Sequence, residues 1–430
     1  MENGSLDPRL RRIEQADMKG KVVLLRVDHN VVKNGVIKDP YRVNATFGTL
    51  YAIAEKGGRP ILLTHIGRPR DKETGKIRCR NRESVGPIVQ YLMRKLPIKI
   101  HVQDFPIDPE KGILHLDHLI VQAVEALKKR EIGMVYLPNA RWFYGEESNG
   151  PERDIFTKEL AGVADLYVND AFGSYRAHAS TCDVAGRLPS FAGPLLQKEI
   201  KNLHMVLDPE RPFVAVVAGA KYDTKIGPLK ALYHKADYLI LGGVMYNTFL
   251  SAKYGVQMEG VSEEDRALAR ELVDMDRNGN KIVEMPYLVE SDTMEEKSAG
   301  SFRPITIHDL KKGKALKHVV DIDPKSFEEK RVKEVIHSAR TIFVNAVMGF
   351  MPYFPEGTRA LYELVTSNGK AVKLFGGGDT LQELKKICPR IYIPGLDDPN
   401  TYYFTGGGSV LSAIEKGSPY GLSPVEALMD

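Results

Sequence analysis

Short apolar, β-branched runs recur along the chain at intervals of roughly one strand-plus-helix unit. In the first half they are VVLLRV (22–27), PILLT (60–64), IKIHV (98–102), GMVYL (133–137) and DLYVN (165–169). In the second they are PFVAVVA (212–218), DYLIL (237–241), KIVEM (281–285), TIFVN (341–345) and AVKLF (371–375). Between them lie helical patterns such as NATFGTLYAIAEKG and EEDRALARELVDM. Continuous apolar strands alternating with helices predict parallel sheets covered on both faces, and two such series predict two doubly wound α/β domains. LDPERP (207–212) reads as a linker, and GPLLQKEIKNLHMVL (193–207) as a hinge helix joining the halves. The expected boundaries are therefore 1–192, 193–207 and 208 onward.

The totals narrow the class. At 430 residues the chain is too long for one ordinary core. Apolar residues make up 43% and charged residues 27%, the balance of a soluble globular protein. A formal charge of +4 gives no reason to expect nucleic acid as a partner. Cys79, Cys182 and Cys388 lie far apart with no CxxC, so neither a zinc site nor a disulfide framework is predicted. The first residues have no apolar core of a secretory signal, and no run of 18 apolar residues exists. A cytoplasmic location with no membrane partner is the expectation.

Ligands of open parallel sheets sit beyond the carboxyl ends of the strands, so the residues just after each apolar run carry the chemistry. In the first half these are polar and basic. Asp28 and Asn30 follow the first run, with Arg42 soon after; His65 and Arg68 follow the second. Arg141 follows GMVYL, and Asp170, Arg176 and His178 follow DLYVN. Any one of these arginines alone reads more readily as a surface ion pair, and His178 alone also reads as a core histidine. Four arginines after the strands of one sheet would repel each other unless an anion sat among them, and the guanidinium fork suits phosphate and carboxylate.

In the second half the strand ends are rich in glycine. VAVVAGAKYDTKIG supplies Gly219, then Lys221 and Lys225 four apart, a spacing that places both ammonium groups on one face of a first helical turn. DYLIL is followed by Gly242 and Gly243, and YYFT by Gly406, Gly407 and Gly408. In LFGGGDTLQELKK the triplet Gly376, Gly377 and Gly378 separates a strand from a helix, with Asp379 and Thr380 between. A bare turn before a helix suits an anion. An acid there is either a helix N-cap or the ligand of a metal lying between it and a phosphate. Neither GxxxxGK[ST] nor GxGxxG occurs, which argues against a P-loop and a nicotinamide dehydrogenase. The two halves read together as a basic cup for a small anion and a backbone surface for a nucleotide polyphosphate, a plan for phosphoryl transfer by domain closure.

The motifs RVDHN, THIGRP, PNAR, VNDAFGSYRAHAS, GAKYDTK, GGVMYNTFL, NAVMG, GGGDT and FTGGGS resemble those of the phosphoglycerate kinase family, in its order and over essentially the whole chain. The resemblance implies two doubly wound domains, the C-terminal segment 406–430 packing back on the first. It implies reversible phosphoryl transfer from 1,3-bisphosphoglycerate to ADP with Mg²⁺, by a monomer. Asp28, Asn30, Arg42 and His65 would hold phosphoglycerate, together with Arg68, Arg141 and Arg176. Arg42 would also meet the phosphoryl group in flight. Lys225, with Lys221 beside it, would bind the phosphates, and Asp379 would bind Mg²⁺. Gly219, Gly242, Gly243 and Asn345 would complete the nucleotide surface, with the backbone of Gly377, Gly378 and Thr380.

The chain departs from the family in a few places. Ala346 and Val347 follow Asn345 where the family has Gly-Pro, and Pro352 stands where it has the glutamate that holds the ribose. Glu356, four residues on, is a candidate replacement. Ala218 replaces a glycine, Tyr175 a histidine and His29 a phenylalanine. These changes keep open a same-fold kinase with another acyl phosphate or nucleotide, and a binding paralogue without turnover.

Overall fold

The computed structural model describes residues 5–430 apart from 117, 220, 221, 223 and 224. The chain forms two compact units, Met1–Lys201 with Pro419–Asp430, and Asn202–Ser418. The first division falls inside the helix Pro194–Leu207.

The main sheet of the first unit is parallel throughout. Its order is Ile100–Val102, Met134–Tyr136, Arg59–Leu63, Val22–Arg26, Leu166–Asn169, Ser190–Ala192. Every residue of Val22–Arg26 is buried, as a strand covered on both faces requires. The strand order reverses between Val22–Arg26 and Leu166–Asn169, which opens a crevice at their carboxyl ends. Segments from both ends of the chain close this unit. Leu10 bridges Met429, and the Arg11 and Asp430 amides donate to Leu428 and Arg9 carbonyls at 3.1 and 3.0 Å. The helix Gly407–Lys416 is grouped with the second unit.

The main sheet of the second unit is also parallel, in the order Tyr238–Gly242, Phe213–Gly219, Thr341–Asn345, Val372–Gly376, Thr401–Phe404. Here the reversal lies between Phe213–Gly219 and Thr341–Asn345. The run KIVEM does not form a strand. Ile282 makes one bridge to Leu239. The Asp276 carboxylate takes the amides of Lys281 and Ile282 at 2.8 and 3.0 Å, and the Tyr246 hydroxyl takes that of Met285 at 2.8 Å, so side chains occupy the donors a ladder would need.

Periodicity also gave no warning of an antiparallel sheet, Phe302–Thr306, Tyr287–Ser291 and His318–Ile322. Its last strand buries Asp321, whose carboxylate accepts from the Ile322 amide at 2.8 Å and the Gly357 amide at 2.9 Å. Gly349 and Gly357 lie against that carboxylate so closely that a Cβ on either would collide with it. Asp321 thus bonds one end of the 349–357 loop and packs against the other.

Burial pushes the Asp321 carboxyl up to about 8, further raised by Glu356 and opposed by the two amides and Lys297. The folded value lies above the ordinary 3.8, so its stabilising contribution is complete below that value and is lost as pH rises through about 8. Asp321→Asn should flatten this slope. The side-chain amide has one acceptor oxygen for the two N–H groups, so the variant starts less stable in mild acid, but its thermal midpoint should fall less than the parent's as pH rises from about 4 to about 8. Parallel slopes for the two proteins would refute the assignment. Among the described residues no helix is long and apolar enough to cross a membrane.

Candidate active site

In the first unit the loops after the strands enclose a cavity of about 620 Å³ at the reversal point. All seven residues expected to hold the substrate line it: Asp28, Asn30, Arg42 and His65, then Arg68, Arg141 and Arg176. PNAR explains how the loops are held. The Asn139 side chain accepts from the amides of Ile66 and Arg141 at 3.0 and 3.1 Å and donates to the Ile66 carbonyl at 2.7 Å. Asn30 accepts from the Gly67 amide at 2.9 Å, and Arg141 donates to the Gly67 carbonyl. Arg42, on the short helix Tyr41–Ala45, is fixed by Asp28, Nη1 to Oδ2 3.0 Å.

Beneath the cup lies a buried polar network that sequence reasoning missed. Arg26 ends the central strand, where its run of apolar neighbours made it look like a strand residue only. Its guanidinium donates to Ser180 Oγ at 2.8 Å and the Val27 carbonyl at 2.6 Å, and lies 3.3 Å from His65 Nδ1. Ser180 donates in turn to Glu146, from its amide at 3.0 Å and its hydroxyl at 2.7 Å.

Burial, then Arg26, Arg141 and Arg42, hold His65 well below the ordinary histidine value. His178, also on the cavity wall, is pushed down to about 4 by burial and then by Arg141 and Arg26. Both imidazoles are neutral near pH 7 and offer hydrogen bonds rather than charge. His29 is a core histidine, bound to the Tyr136 hydroxyl at 2.8 Å and Thr46 Oγ1 at 3.0 Å. Arg141 pairs with Glu147 at 2.9 Å, whereas Arg68 and Arg176 have no carboxylate partner among the described residues. The cup therefore presents uncompensated cations to whatever it binds.

In the second unit a cavity of about 910 Å³ lies at the other reversal point. Its polar end is made by the strand ends. Lys225 Nζ donates to the Ala218 carbonyl at 2.8 Å and lies 3.4 Å from Asn345 Oδ1, while Asn345 Nδ2 donates to the Gly376 carbonyl. The Lys225 stem lies flat on Gly219: a Cβ there would meet Nζ at 2.8 Å and Cε at 3.1 Å. Desolvation lowers the Lys225 ammonium from its ordinary value, and Asp379 raises it in part.

The helix Ile226–Lys235 starts after Lys225, which precedes its first turn instead of sitting within one. Lys221, its expected companion, lies outside the described residues.

Gly377 has φ +119°, a conformation open to glycine, and Gly407 packs directly on its Cα and amide. The next helix runs Gly378–Ile387 with Gly377 as its N-cap, so Asp379 is a first-turn residue and not a cap. It is exposed on the cavity wall beside Gly378 and Thr380. Gly243 also lines the cavity, while Gly242 lies under the Met348 sulfur, off the wall.

The apolar end is formed by Val244, Met294 and Val319 with Phe350, Met351 and Pro352. Glu356 is not part of that wall: it starts the helix Glu356–Ser367 and is bound by Lys297 at 2.6 Å, whose ammonium stands over the rings of Phe302 and Phe354. Glu383 does line the cavity, a position signalled in the sequence by nothing but its spacing of four from Asp379.

The unpartnered amides of the first helical turn suit a phosphate, and the Asp379 carboxylate beside them suits Mg²⁺, which keeps several waters and takes phosphate oxygens as its other ligands. Among the described residues no group of three or more His, Cys, Asp or Glu could hold a metal by itself. Asp379 would hold the ion together with a bound polyphosphate.

Comparison with known proteins places the chain in a family. The phosphoglycerate kinase profile matches residues 13–417. The chain is 36% identical to a phosphoglycerate kinase of Dictyoglomus turgidum, over 94% of this chain and 95% of the relative. It is 34% identical to one of Thermus thermophilus, over 97% of this chain and all of the relative. The solved phosphoglycerate kinase of Coxiella burnetii superimposes with a TM-score of 0.73 at 28% identity, covering 97% of this chain and 98% of that one. The structure from Pyrococcus horikoshii gives the same TM-score at 22% identity, a likeness of fold. This chain belongs to the phosphoglycerate kinase family.

Proposed function

We propose that the cup of the first unit holds 3-phosphoglycerate or 1,3-bisphosphoglycerate, and the cavity of the second holds ATP or ADP, in the reversible phosphoryl transfer that defines the family. The observation that carries this reading is the cup itself: Arg68 and Arg176 stand without carboxylate partners around neutral His65, a surface built for an anion.

The leaving group of an acyl phosphate is a carboxylate, so the reaction needs neither a general base nor a covalent intermediate. What it needs is alignment and neutralisation of charge on the moving group. Arg42, aimed by Asp28, and Lys225, laid on Gly219, are the cations proposed to meet that charge. Arg141 and Arg68 grip the end of the substrate that does not react. Mg²⁺, held by Asp379 and the nucleotide phosphates, would neutralise the polyphosphate. The glycine turns let backbone amides approach it.

The test is a coupled assay in which 3-phosphoglycerate, ATP and Mg²⁺ yield an acyl phosphate that a reductase consumes. Turnover well above background is expected, and a folded preparation without it would overturn the reading. The side chains of Phe350, Met351 and Pro352, which carry no hydrogen-bond donor, favour a second version, the same reaction with a different nucleotide. A panel of ATP, GTP and ITP at fixed 3-phosphoglycerate separates the two.

A further inference from the structure

Helix Gly378–Ile387 carries two carboxylates to the cavity of the second unit, Asp379 and, one turn further, Glu383. Their surroundings differ. Asp379 is exposed, whereas Glu383 is only 6% exposed. Glu383 Oε1 accepts from Gln382 Nε2 at 3.2 Å; Oε2 is shut off from solvent and has no hydrogen-bond partner among the described residues. A buried carboxylate oxygen that has lost its water and gained no donor is unfavourable. Because Glu383 forms part of the cavity wall, a turn of its side chain would bring this carboxylate to a donor held in the cavity.

The chemistry of a nucleotide narrows the donor. Phosphate oxygens only accept. The sugar hydroxyls donate, and sit between the phosphates and the base. Four residues along a helix advance about 6 Å, so Glu383 stands one such step from Asp379 at the polar end. Among the described residues of the wall the carboxylates are Asp379 and Glu383: the side chains of Phe350, Met351 and Pro352 offer none, the side-chain amides of Asn345 and Gln382 are neutral and already bonded to Gly376 and Glu383, and Glu356 is tied to Lys297. We propose that Glu383 is the specificity-determining residue that accepts hydrogen bonds from the sugar hydroxyls of the bound nucleotide. The proposal rests on the reading that this cavity binds ADP and ATP.

Calorimetric binding tests it without depending on turnover. The full chain, Glu383→Gln and Glu383→Ala are titrated with ADP, 2′-deoxy-ADP, 3′-deoxy-ADP and IDP, with unfolding midpoints as the check on folding. The parent should prefer ADP over at least one deoxy analogue by about tenfold or more, and Glu383→Ala should bring that ratio within about threefold. Should the alanine variant not fold, the isosteric glutamine carries the test, and its ratio should fall by at least about threefold. The proposal is overturned if the parent does not discriminate, or if the ratio survives substitution. It is equally overturned if substitution changes the ADP-to-IDP preference or the Mg²⁺ dependence and leaves the sugar ratio alone. No ADP binding by the parent would overturn the nucleotide reading as well, a different result from ADP bound without regard to its sugar.

Discussion

Arg42→Ala should lower kcat by a factor on the order of 10³ or more, while the KM for 3-phosphoglycerate moves only a few-fold. The guanidinium is held 3.0 Å from a carboxylate that is 5% exposed, on the wall of the cup. A cation fixed in advance costs no reorganisation when charge develops, so its contribution is concentrated in the transition state. Arg141→Ala should behave differently. Arg141 is already bound by Glu147 and the Gly67 carbonyl, and its loss should appear mainly in KM. Removing Arg42 leaves the buried Asp28 without its partner, so unfolding midpoints must accompany the kinetics. Equal losses in kcat for the two variants, with KM unchanged in both, would show that the roles are assigned wrongly.

Lys225→Met should lower kcat by about 10² to 10³ with little change in the KM for 3-phosphoglycerate, which depends on the other unit. Lys225→Arg should rescue poorly, because the stem is pressed on Gly219 and a planar fork does not fit where a single ammonium reaches both the Ala218 carbonyl and Asn345. Gly219→Ala is the companion experiment. Its Cβ would meet only the flexible far end of Lys225, so the fold should survive with its thermal midpoint nearly unchanged while kcat drops by about tenfold or more. A Gly219→Ala enzyme with parental kcat would mean that the position of this ammonium is not what the reaction uses.

The positions of Arg42, His65, Arg141 and the GGGDT turn were legible in the sequence because one rule, that ligands gather after the strands of a parallel sheet, ties chain position to place. Features that depend on how two distant segments meet were not. Arg26 sits inside an apolar run, and only its contact with Ser180 shows that it underlies the cup. Asp379 looked like a possible helix cap, but the helix begins one residue earlier, at Gly378. KIVEM has the composition of a strand, yet Asp276 and Tyr246 take its amides. Glu356 was a reasonable candidate for the sugar until its partner Lys297, 59 residues away in the chain, became visible. Glu383 carries no signature beyond its spacing from Asp379.

The seating of Leu10 against Met429 has a consequence for the way this molecule is made. The second unit is one continuous stretch, Asn202–Ser418, whereas the first needs Pro419–Asp430 as well as Met1–Lys201. During vectorial synthesis, residues 1–201 leave the ribosome first, but their edge stays incomplete until the last dozen residues emerge. The half that is synthesised first is therefore finished last, and in the interval a nascent chain carries one closed unit downstream of an open one. Severing the chain near residue 201 would not yield a self-sufficient first half, while the second could be expressed alone. Permutants that join 419–430 ahead of Leu10 would restore to the first half the order that the natural chain reverses.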